Sequence, residues 1–224
     1  VDGGIGLLRG LGLEVLDVTG TPVRDGAQGL LDAAAIRQRR ESPLDARVWC
    51  DVRTSAVDCV RRFGPQKGLS PSLIDPLTVA MRRWADVLVA YAREQECLDL
   101  SPDMEGGGAA GGIGLALSAL GAELCSGFDA ISRLTGLAGR LHHADWVIVG
   151  EGRLDAGSFE GKPLGEITKL ARRCGCGVIA MVGQSLRAPE APVGPDVVIE
   201  IGRRLDPAQG IQAAVTELCH MMDW

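Results

Sequence analysis

A short charged segment, residues 150–155, contains the side chains in this sequence that are best suited to chemistry. Glu151 and Asp155 are carboxylates that can hold Mg²⁺ or accept a hydroxyl proton. Arg153 and the nearby Lys162 can neutralise a phosphoryl group during its transfer. Proline follows Lys162 where a Walker A loop requires serine or threonine, so a P-loop is excluded. The segment predicts an anion-handling site, with a solvent-exposed charged loop as the alternative interpretation.

A glycine-rich segment, residues 106–112, is the second candidate. Residues without side chains bring backbone N–H groups close to an anion, and the helix predicted to follow would point its positive end at the same place. The candidate phosphate-binding residues are Gly107, Gly108, Gly111 and Gly112. The spacing also matches G-x-G-x-x-G, but no strand is predicted before it, which argues against a nicotinamide-dependent oxidoreductase. Tight packing of a glycine-rich helix against a neighbour is the alternative interpretation.

Two further turns could contact a substrate. Residues 63–68 read Phe-Gly-Pro-Gln-Lys-Gly and hold Lys67 between turn residues, which suits an anion contact or a plain surface turn. Residues 2–6 read Asp-Gly-Gly-Ile-Gly, so Asp2, with Gly3 beside it, could bind a polyol or cap a helix. Lys67, Asp2 and Gly3 are therefore candidate substrate-binding residues.

The composition argues against several classes of partner. The 224 residues carry a formal net charge of −6, and no basic stripe interleaves with aromatic residues, so nucleic-acid binding is not expected. No apolar run is long enough to cross a bilayer, so no membrane partner is expected. The 7 cysteines cannot all pair, and no histidine lies close enough to complete a metal set with Cys174 and Cys176. We therefore predict no metal-binding cluster and a reducing, cytoplasmic location.

Hydrophobic periodicity predicts the elements that would position these candidates. One stripe at helical spacing predicts a long helix with one buried face, and its members are Leu77, Met81, Trp84, Leu88 and Tyr91. A second stripe predicts a helix that begins at Pro207, and its members are Ile211, Val215, Leu218 and Met222. The other predicted helices are 7–11, 30–37, 109–120, 128–141 and 163–173, and the predicted strands are 13–18, 47–52, 146–149, 178–182 and 197–201.

The chain divides near residue 144. Residues 1–144 are interpreted as an α/β domain. Residues 145–224 are interpreted as the C-terminal part of a Rossmann-like domain, because strand, helix and strand alternate there. The predicted fold class is α/β, with two α/β domains, one of them an incomplete Rossmann-like parallel sheet. Residues 150–155 follow the predicted strand 146–149, and ligands bind outside the carboxyl ends of strands in such sheets.

Four of these segments, in this order, resemble the glycerate kinase family of the bacterial type. Residues 2–6 match its Asp-Gly-Gly-x-Gly opening, and residues 63–68 match its Phe-Gly-Pro-Gln-Lys-Gly loop letter for letter. Residues 108–114 match its Gly-Ala-Ala-Gly-Gly-x-Gly run. Residues 150–155 match its Gly-Glu-Gly-Arg-x-Asp motif, and residues 161–163 approximate the Gly-Lys-x-Pro sequence that follows.

The resemblance implies a reaction, cofactors and a fold. The implied reaction transfers the γ-phosphoryl group of ATP to a hydroxyl group of glycerate or a similar small sugar acid, with Mg²⁺. The implied site lies in a cleft between two α/β domains. One domain would be Rossmann-like and built from both chain ends, and the other would be inserted in the middle of the chain.

For such a kinase, each candidate residue has a role. Asp155 or Glu151 would be the carboxylate that binds metal or accepts the proton. Lys162, as a catalytic cation, and Arg153 and Lys67, as substrate-binding cations, would steady the substrate carboxylate or the phosphates. The glycine segment would cradle an anion, and the acid of the opening turn would hold a substrate hydroxyl. Catalysis would rest on positioning and electrostatics.

The chain departs from the family pattern at several places. Family members begin with a longer segment that carries an Asp-Ser-x-Lys-Gly-type motif and the first Rossmann-like strands, and no such segment precedes Val1. Residues 51–62 lack the expected Asn-Pro-Leu pattern, and the Gly-Lys-x-Pro spacing is one residue short at Lys162. Two expectations remain open: part of a complete enzyme, or an inactive family member that binds a sugar acid or a nucleotide.

Overall fold

The structure, a computed structural model, describes residues 1–38, 42–95, 100–159, 161–186, 194–201 and 206–221. It divides into two units, Val1–Gly127 and Phe128–Trp224. This division lies earlier than residue 144, because the helical residues 128–141 group with the sheet that follows them. None of the helices in the described ranges is long and apolar enough to cross a membrane.

The first unit is built around a 24-residue helix, α4 (Pro71–Glu94). The five residues of its predicted stripe are all 5% exposed or less, so that prediction is confirmed. Burying each large side chain contributes about 1.5–3 kcal/mol relative to leaving it in water. The other elements of the unit are α1 (Ile5–Gly10), β1 (Glu14–Leu16), α2 (Ala27–Asp32), β2 (Ala35–Arg37), β3 (Arg47–Cys50), α3 (Cys59–Phe63), α5 (Ile113–Ala119) and β4 (Glu123–Ser126).

Two short sheets flank this helical core. β1 pairs with β2 in antiparallel fashion, so the predicted helix over 30–37 is wrong in its second half, where β2 lies. β3 pairs with β4 in parallel, with Arg47 opposite Glu123. Strand β4 was not predicted, because a strand of 4 residues between a glycine turn and a helix has too few positions to show alternation.

The second unit contains a parallel sheet of three described strands in the order β5–β6–β7. The strands are β5 (Trp146–Leu154), β6 (Gly177–Ser185) and β7 (Val197–Glu200). The helices of the unit are α6 (Gly127–Thr135), α7 (Leu137–Leu141), α8 (Pro163–Cys174) and α9 (Pro207–Met221). Helix α8 packs on β5 and β6, and residues of α9 pack on the other face, against Ile179 and Ile199. The α/β class predicted from the sequence is confirmed.

Two predictions for the second unit need correction. β5 continues to Leu154, whereas the sequence predicted a strand that ends at residue 149 and a loop after it. In the stripe predicted for α9, Leu218 is buried, but Ile211 and Val215 are 50% and 40% exposed, because α9 turns a neighbouring face to the sheet. Met222 lies outside the described residues.

Candidate functional site

The second half of strand β5 carries the charged motif, residues 150–155, except for Asp155, which directly follows the strand. Glu151 pairs with Val182 and Arg153 with Gln184 of β6, so the motif belongs to the sheet. Glycines discourage a strand prediction, but β6 is as long as β5 and supplies a partner along its length. A Cβ on Gly183 would lie 2.6 Å from the carbonyl oxygen of Gly152, so the two strands approach here more closely than side chains allow. The carboxyl end of the parallel strand is therefore at Leu154, directly before Asp155.

Arg153 and Asp155 form an ion pair at that carboxyl end. Both Nε and Nη2 of Arg153 lie 2.9 Å from Oδ2 of Asp155. The side chains are 62% and 25% exposed, so the pair borders solvent. No donor in the described part of the chain bonds to Oδ1 of Asp155, which leaves that oxygen available to a ligand.

Glu151 and Lys162 form a second pair beside the first turn of α8. Lys162 Nζ lies 3.4 Å from Oε1 of Glu151, and Lys162 directly precedes the helix. Oε2 of Glu151 is buried and has no hydrogen-bond partner among the described residues. The Glu151 side chain is 17% exposed and that of Lys162 is 47% exposed. The carboxylate is therefore withdrawn from solvent, while the ammonium group reaches it.

The two carboxylates thus differ in access. Asp155 presents an unbonded oxygen at the strand end, whereas Glu151 holds a lysine and has its second oxygen buried. Within the described ranges, no group of three or more His, Cys, Asp or Glu residues could hold a metal ion. Mg²⁺ would fit only in its usual manner with nucleotides, through one or two carboxylates completed by phosphate oxygens and water.

Ser158 is a residue of this site that the sequence analysis did not identify. It is 0% exposed, and its hydroxyl bonds to main-chain groups of Arg153 and Asp155. The available signal was a serine three residues after an aspartate, a spacing at which Ser commonly bonds to nearby backbone. That signal is weak in isolation, because the same spacing occurs in many ordinary turns.

The glycine segment, residues 106–112, uses its N–H groups within the protein. The amides of Gly107 and Gly108 donate to the carbonyls of Met104 and Thr54 at 3.2 and 2.9 Å. The amides of Gly111 and Gly112 both donate to the carbonyl of Gly108, at 3.1 and 3.3 Å. An anion at these four amides would have to displace those carbonyls. The region before Gly106, residues 100–105, contains no strand, as predicted, so the dinucleotide fingerprint does not apply.

Close packing accounts for the glycines of this segment. A Cβ on Gly108 would lie 2.2 Å from the carbonyl oxygen of Ser55 and 2.8 Å from Cβ of Cys59. A Cβ on Gly112 would lie 2.7 Å from Cα of Gly3. The same dense packing buries the Cys59 thiol and raises its pKa to about 12, chiefly by desolvation. This geometry favours the packing interpretation of the segment.

Asp2 caps α1. Its Oδ1 accepts the N–H of Gly4 at 3.1 Å, and its Oδ2 accepts the N–H of Gly6 at 3.0 Å. The carbonyl of Gly3 accepts the indole N–H of Trp84 at 2.8 Å, in the core. A Cβ on Gly3 would lie 2.4 Å from the Trp84 ring, so only glycine fits there. Of the two interpretations of this turn, helix capping is therefore the one that the geometry displays.

Lys67 ends a 3-10 turn, Pro65–Lys67, and is exposed. Its N–H donates to the carbonyl of Gly64 at 3.0 Å, and Gly68 follows in the left-handed conformation at φ 78°. The described residues supply no ion-pair partner for its ammonium group. Helix α3 begins at Cys59, next to Gly108 of the glycine segment, and Lys67 follows the opposite end of α3.

Comparison with known proteins gives consistent matches. The model of the Glycerate kinase family matches residues 1–219. The chain is 35% identical over 192 residues to a glycerate 2-kinase of Escherichia coli K12, covering 81% of this chain and 49% of that protein. It is 34% identical over 202 residues to a glycerate kinase of Bacillus subtilis 168, covering 85% of this chain and 50% of that protein.

A solved structure shares the fold. The crystal structure described as glycerate kinase 2 from Salmonella typhimurium LT2 superposes with a TM-score of 0.62 at 30% identity. The match covers 99% of this chain and 62% of that one. The chain spans about half the length of the curated relatives that it matches.

Proposed function

Because the chain belongs to the glycerate kinase family, we propose that it takes part in ATP-dependent phosphorylation of a hydroxyl group of glycerate or a similar small sugar acid. The observation that carries the proposal is the Arg153–Asp155 pair, which leaves Oδ1 of Asp155 unbonded at the carboxyl end of a parallel strand. That edge is where ligands bind in open α/β sheets.

Asp155 is the proposed carboxylate that meets the substrate. Its available oxygen can accept the proton of the attacking hydroxyl group or bind a metal, and Arg153 keeps the other oxygen occupied. Glu151 is proposed to act through Lys162 and not on the substrate. Its carboxylate is largely buried and contacts Lys162, so it holds that ammonium group where it can neutralise phosphate charge. Phosphoryl transfer needs this kind of positioning and charge stabilisation more than covalent chemistry.

ATP and Mg²⁺ belong to the proposal. When bound, Mg²⁺ would supply positive charge that offsets the negative charge of the phosphate groups. Asp155 is the carboxylate best placed to reach it, because its free oxygen borders solvent. Arg153 and Lys162 add two exposed cationic groups to the same strand end and the helix that follows it.

Among the candidate residues of the first unit, only Lys67 is proposed without the loss or addition of an existing bond. Lys67 is proposed to bind an anionic group, since it is exposed on a rigid turn. A contact of Asp2 or Gly3 with a substrate hydroxyl would have to be added to their capping and packing bonds. A phosphate contact of the glycine segment, residues 106–112, would have to replace existing carbonyl partners.

The proposal also covers the division into domains, the kind of ligand and the location of the protein. Residues 145–224 are proposed to belong to a Rossmann-like domain and residues 1–144 to hold the middle α/β domain. The site would serve a small molecule and no nucleic acid. We place the reaction in the cytoplasm, where ATP is available and thiols such as those in this chain stay reduced.

A coupled assay of ADP release tests the proposed function. Purified chain is incubated with ATP, Mg²⁺ and D-glycerate, and with D-lactate as a control acid that has the same configuration at C2 but lacks the 3-hydroxyl group. We expect glycerate-dependent ADP release and a phosphorylated acid detectable by ³¹P NMR. ADP release that does not depend on glycerate would contradict the proposal.

A second candidate function is binding without turnover, and the observation that favours it is that residues 161–163, Gly-Lys-Pro, are one residue shorter than the Gly-Lys-x-Pro sequence of the family. Calorimetry with glycerate and with ATP separates the two functions. Heat of binding without ADP release supports a binding role, whereas binding together with ADP release supports the kinase.

A further inference from the structure

Ser158 is a fully buried serine whose hydroxyl bonds to both residues of the exposed ion pair. Its Oγ accepts the N–H of Asp155 at 3.1 Å and donates to the carbonyl of Arg153 at 3.3 Å. Its own N–H donates to the carbonyl of Asp155 at 3.0 Å. One side chain therefore ties together the main chain at both residues that carry the proposed chemistry.

We propose that Ser158 is a positioning residue that sets the direction in which the free oxygen of Asp155 points. The role of that oxygen in the reaction rests on the proposed function, whereas the positioning of Asp155 by Ser158 rests on geometry alone. Ser158 is 0% exposed, so it cannot touch a substrate and acts only through Asp155 and Arg153.

The ion pair cannot fix its own direction. Arg153 is 62% exposed, and an exposed pair with one long flexible partner contributes little order of its own. The carboxylate of Asp155 is joined to its main chain through only two rotatable bonds, so the position of the main chain limits where Oδ1 can lie. Ser158 joins that main chain to the main chain of Arg153, so the two partners cannot shift independently.

Ser158 can fix the position of Asp155 because its own main chain is packed tightly against α8. Gly165, in the first turn of α8, approaches so closely that a Cβ there would lie 2.9 Å from the carbonyl oxygen of Ser158 and 2.8 Å from Cα of Phe159. The 3-10 turn Ala156–Phe159 therefore rests on α8 without a gap. Interiors this dense resist displacement.

A matched control exists in the same unit. Thr168 is also 0% exposed, and its Oγ1 donates to the carbonyl of Leu164 at 2.7 Å, within α8. Removing either hydroxyl group deletes a buried hydrogen-bonding side chain, but only the loss at Ser158 loosens the ion pair. A purely structural role would make the two substitutions behave alike.

The test compares Ser158→Ala with Thr168→Val in the complete chain. The first readout is the ¹⁵N–¹H NMR signal of Arg153 Nε–H, assigned by its loss in Arg153→Lys, and its rate of exchange with water. We expect Ser158→Ala to shift this signal and to speed its exchange about tenfold, because one protecting hydrogen bond is weakened. Thr168→Val should leave both unchanged.

The second readout is steady-state kinetics of glycerate phosphorylation. A displacement of about 1 Å at a reacting group lowers rates by about 100-fold, so we expect Ser158→Ala to lower kcat by about 10- to 100-fold. KM for ATP should change less than about threefold, since Ser158 contacts no ligand. If Ser158→Ala does not fold, Ser158→Cys carries the same test with a weaker hydrogen-bonding group.

Each outcome supports or overturns the positioning role of Ser158. An Nε–H signal that Ser158→Ala leaves unchanged overturns the proposal, and so does unfolding of both Ser158 variants while Thr168→Val stays folded. If the parent chain does not phosphorylate glycerate but its Nε–H protection depends on Ser158, the proposed function fails and the positioning role stands. If the parent is active and Ser158→Ala keeps its kcat, the positioning role fails and the proposed function stands.

Discussion

The glycine segment, residues 106–112, and the charged motif, residues 150–155, both suggest anion binding in the sequence, yet they differ in what they leave available. The glycine amides donate to carbonyls of their own unit, and their missing side chains make room for Ser55 and Gly3. The charged motif keeps Oδ1 of Asp155 unbonded at the end of a parallel strand.

Motifs that serve packing and motifs that serve function can be distinguished by whether their polar atoms already have partners within the protein. Glycine is required wherever backbones approach closely, with or without a ligand, so a glycine motif alone is ambiguous. A charged side chain with an available atom at a strand end has no comparable packing reason, because an unbonded polar oxygen adds nothing to stability. The charged motif is therefore the stronger indicator of function.

The largest expected effect tests the functional side of this comparison. Asp155→Asn keeps the shape of the side chain and an oxygen for Arg153 but removes the charge. We expect kcat to fall by about 100- to 1000-fold in the glycerate-dependent assay, with little change in thermal stability. Asp103→Asn is the control, because Asp103 forms an ion pair of the same length, 2.9 Å, with Arg82 in the other unit, with a more exposed carboxylate (58% against 25%). Activity equal to the parent in Asp155→Asn would remove Asp155 from the site.

The next effect tests the packing side. Gly108→Ala would place a Cβ 2.2 Å from the carbonyl oxygen of Ser55, so we expect a loss of about 1–3 kcal/mol in the free energy of unfolding, measured by urea denaturation. Gly139→Ala is the matched control: a Cβ at this exposed helical position meets nothing within 4 Å, and a gain of up to about 1 kcal/mol is expected. If Gly108→Ala retained full stability but lost ATP binding in calorimetry, the ligand-binding interpretation of the segment would be restored.

The smallest effect contrasts buried hydroxyl groups in the two units. Ser118, on α5, is 4% exposed, and its Oγ has no hydrogen-bond partner among the described residues. Ser118→Ala removes a buried polar atom without a partner, so a gain of about 1 kcal/mol in thermal or urea denaturation is expected. Thr168→Val, which removes a bonded hydroxyl, should instead lose about 1 kcal/mol. A loss of stability in Ser118→Ala would mean that its hydroxyl group has a partner, such as a bound water.

Long periodic elements were predictable, and short or irregular ones were not. The stripe on α4 repeats over enough turns to specify a helix and its buried face. The strand β4, of 4 residues, and the second half of β5, with two glycines, have no such repetition. They form because β3 and β6 offer partners, which lie far away in the sequence.

The candidate site was predictable in its residue types but not in its geometry. Asp155, Arg153, Glu151 and Lys162 were all identified from charge and spacing. Which carboxylate borders solvent depends on where each falls relative to α8, and the sequence does not contain that information. Ser158 was missed for the same reason, because its importance lies in what it bonds to.

Local periodicity and residue type were enough to predict the α/β class, the buried face of α4 and the residue types of a charged motif close to a strand. Three findings needed the folded chain: the glycine amides are occupied, Asp2 caps a helix, and the unbonded oxygen of Asp155 is accessible whereas that of Glu151 is buried. The physical reason is that hydrogen-bond occupancy and access to solvent depend on groups brought together from distant parts of the chain.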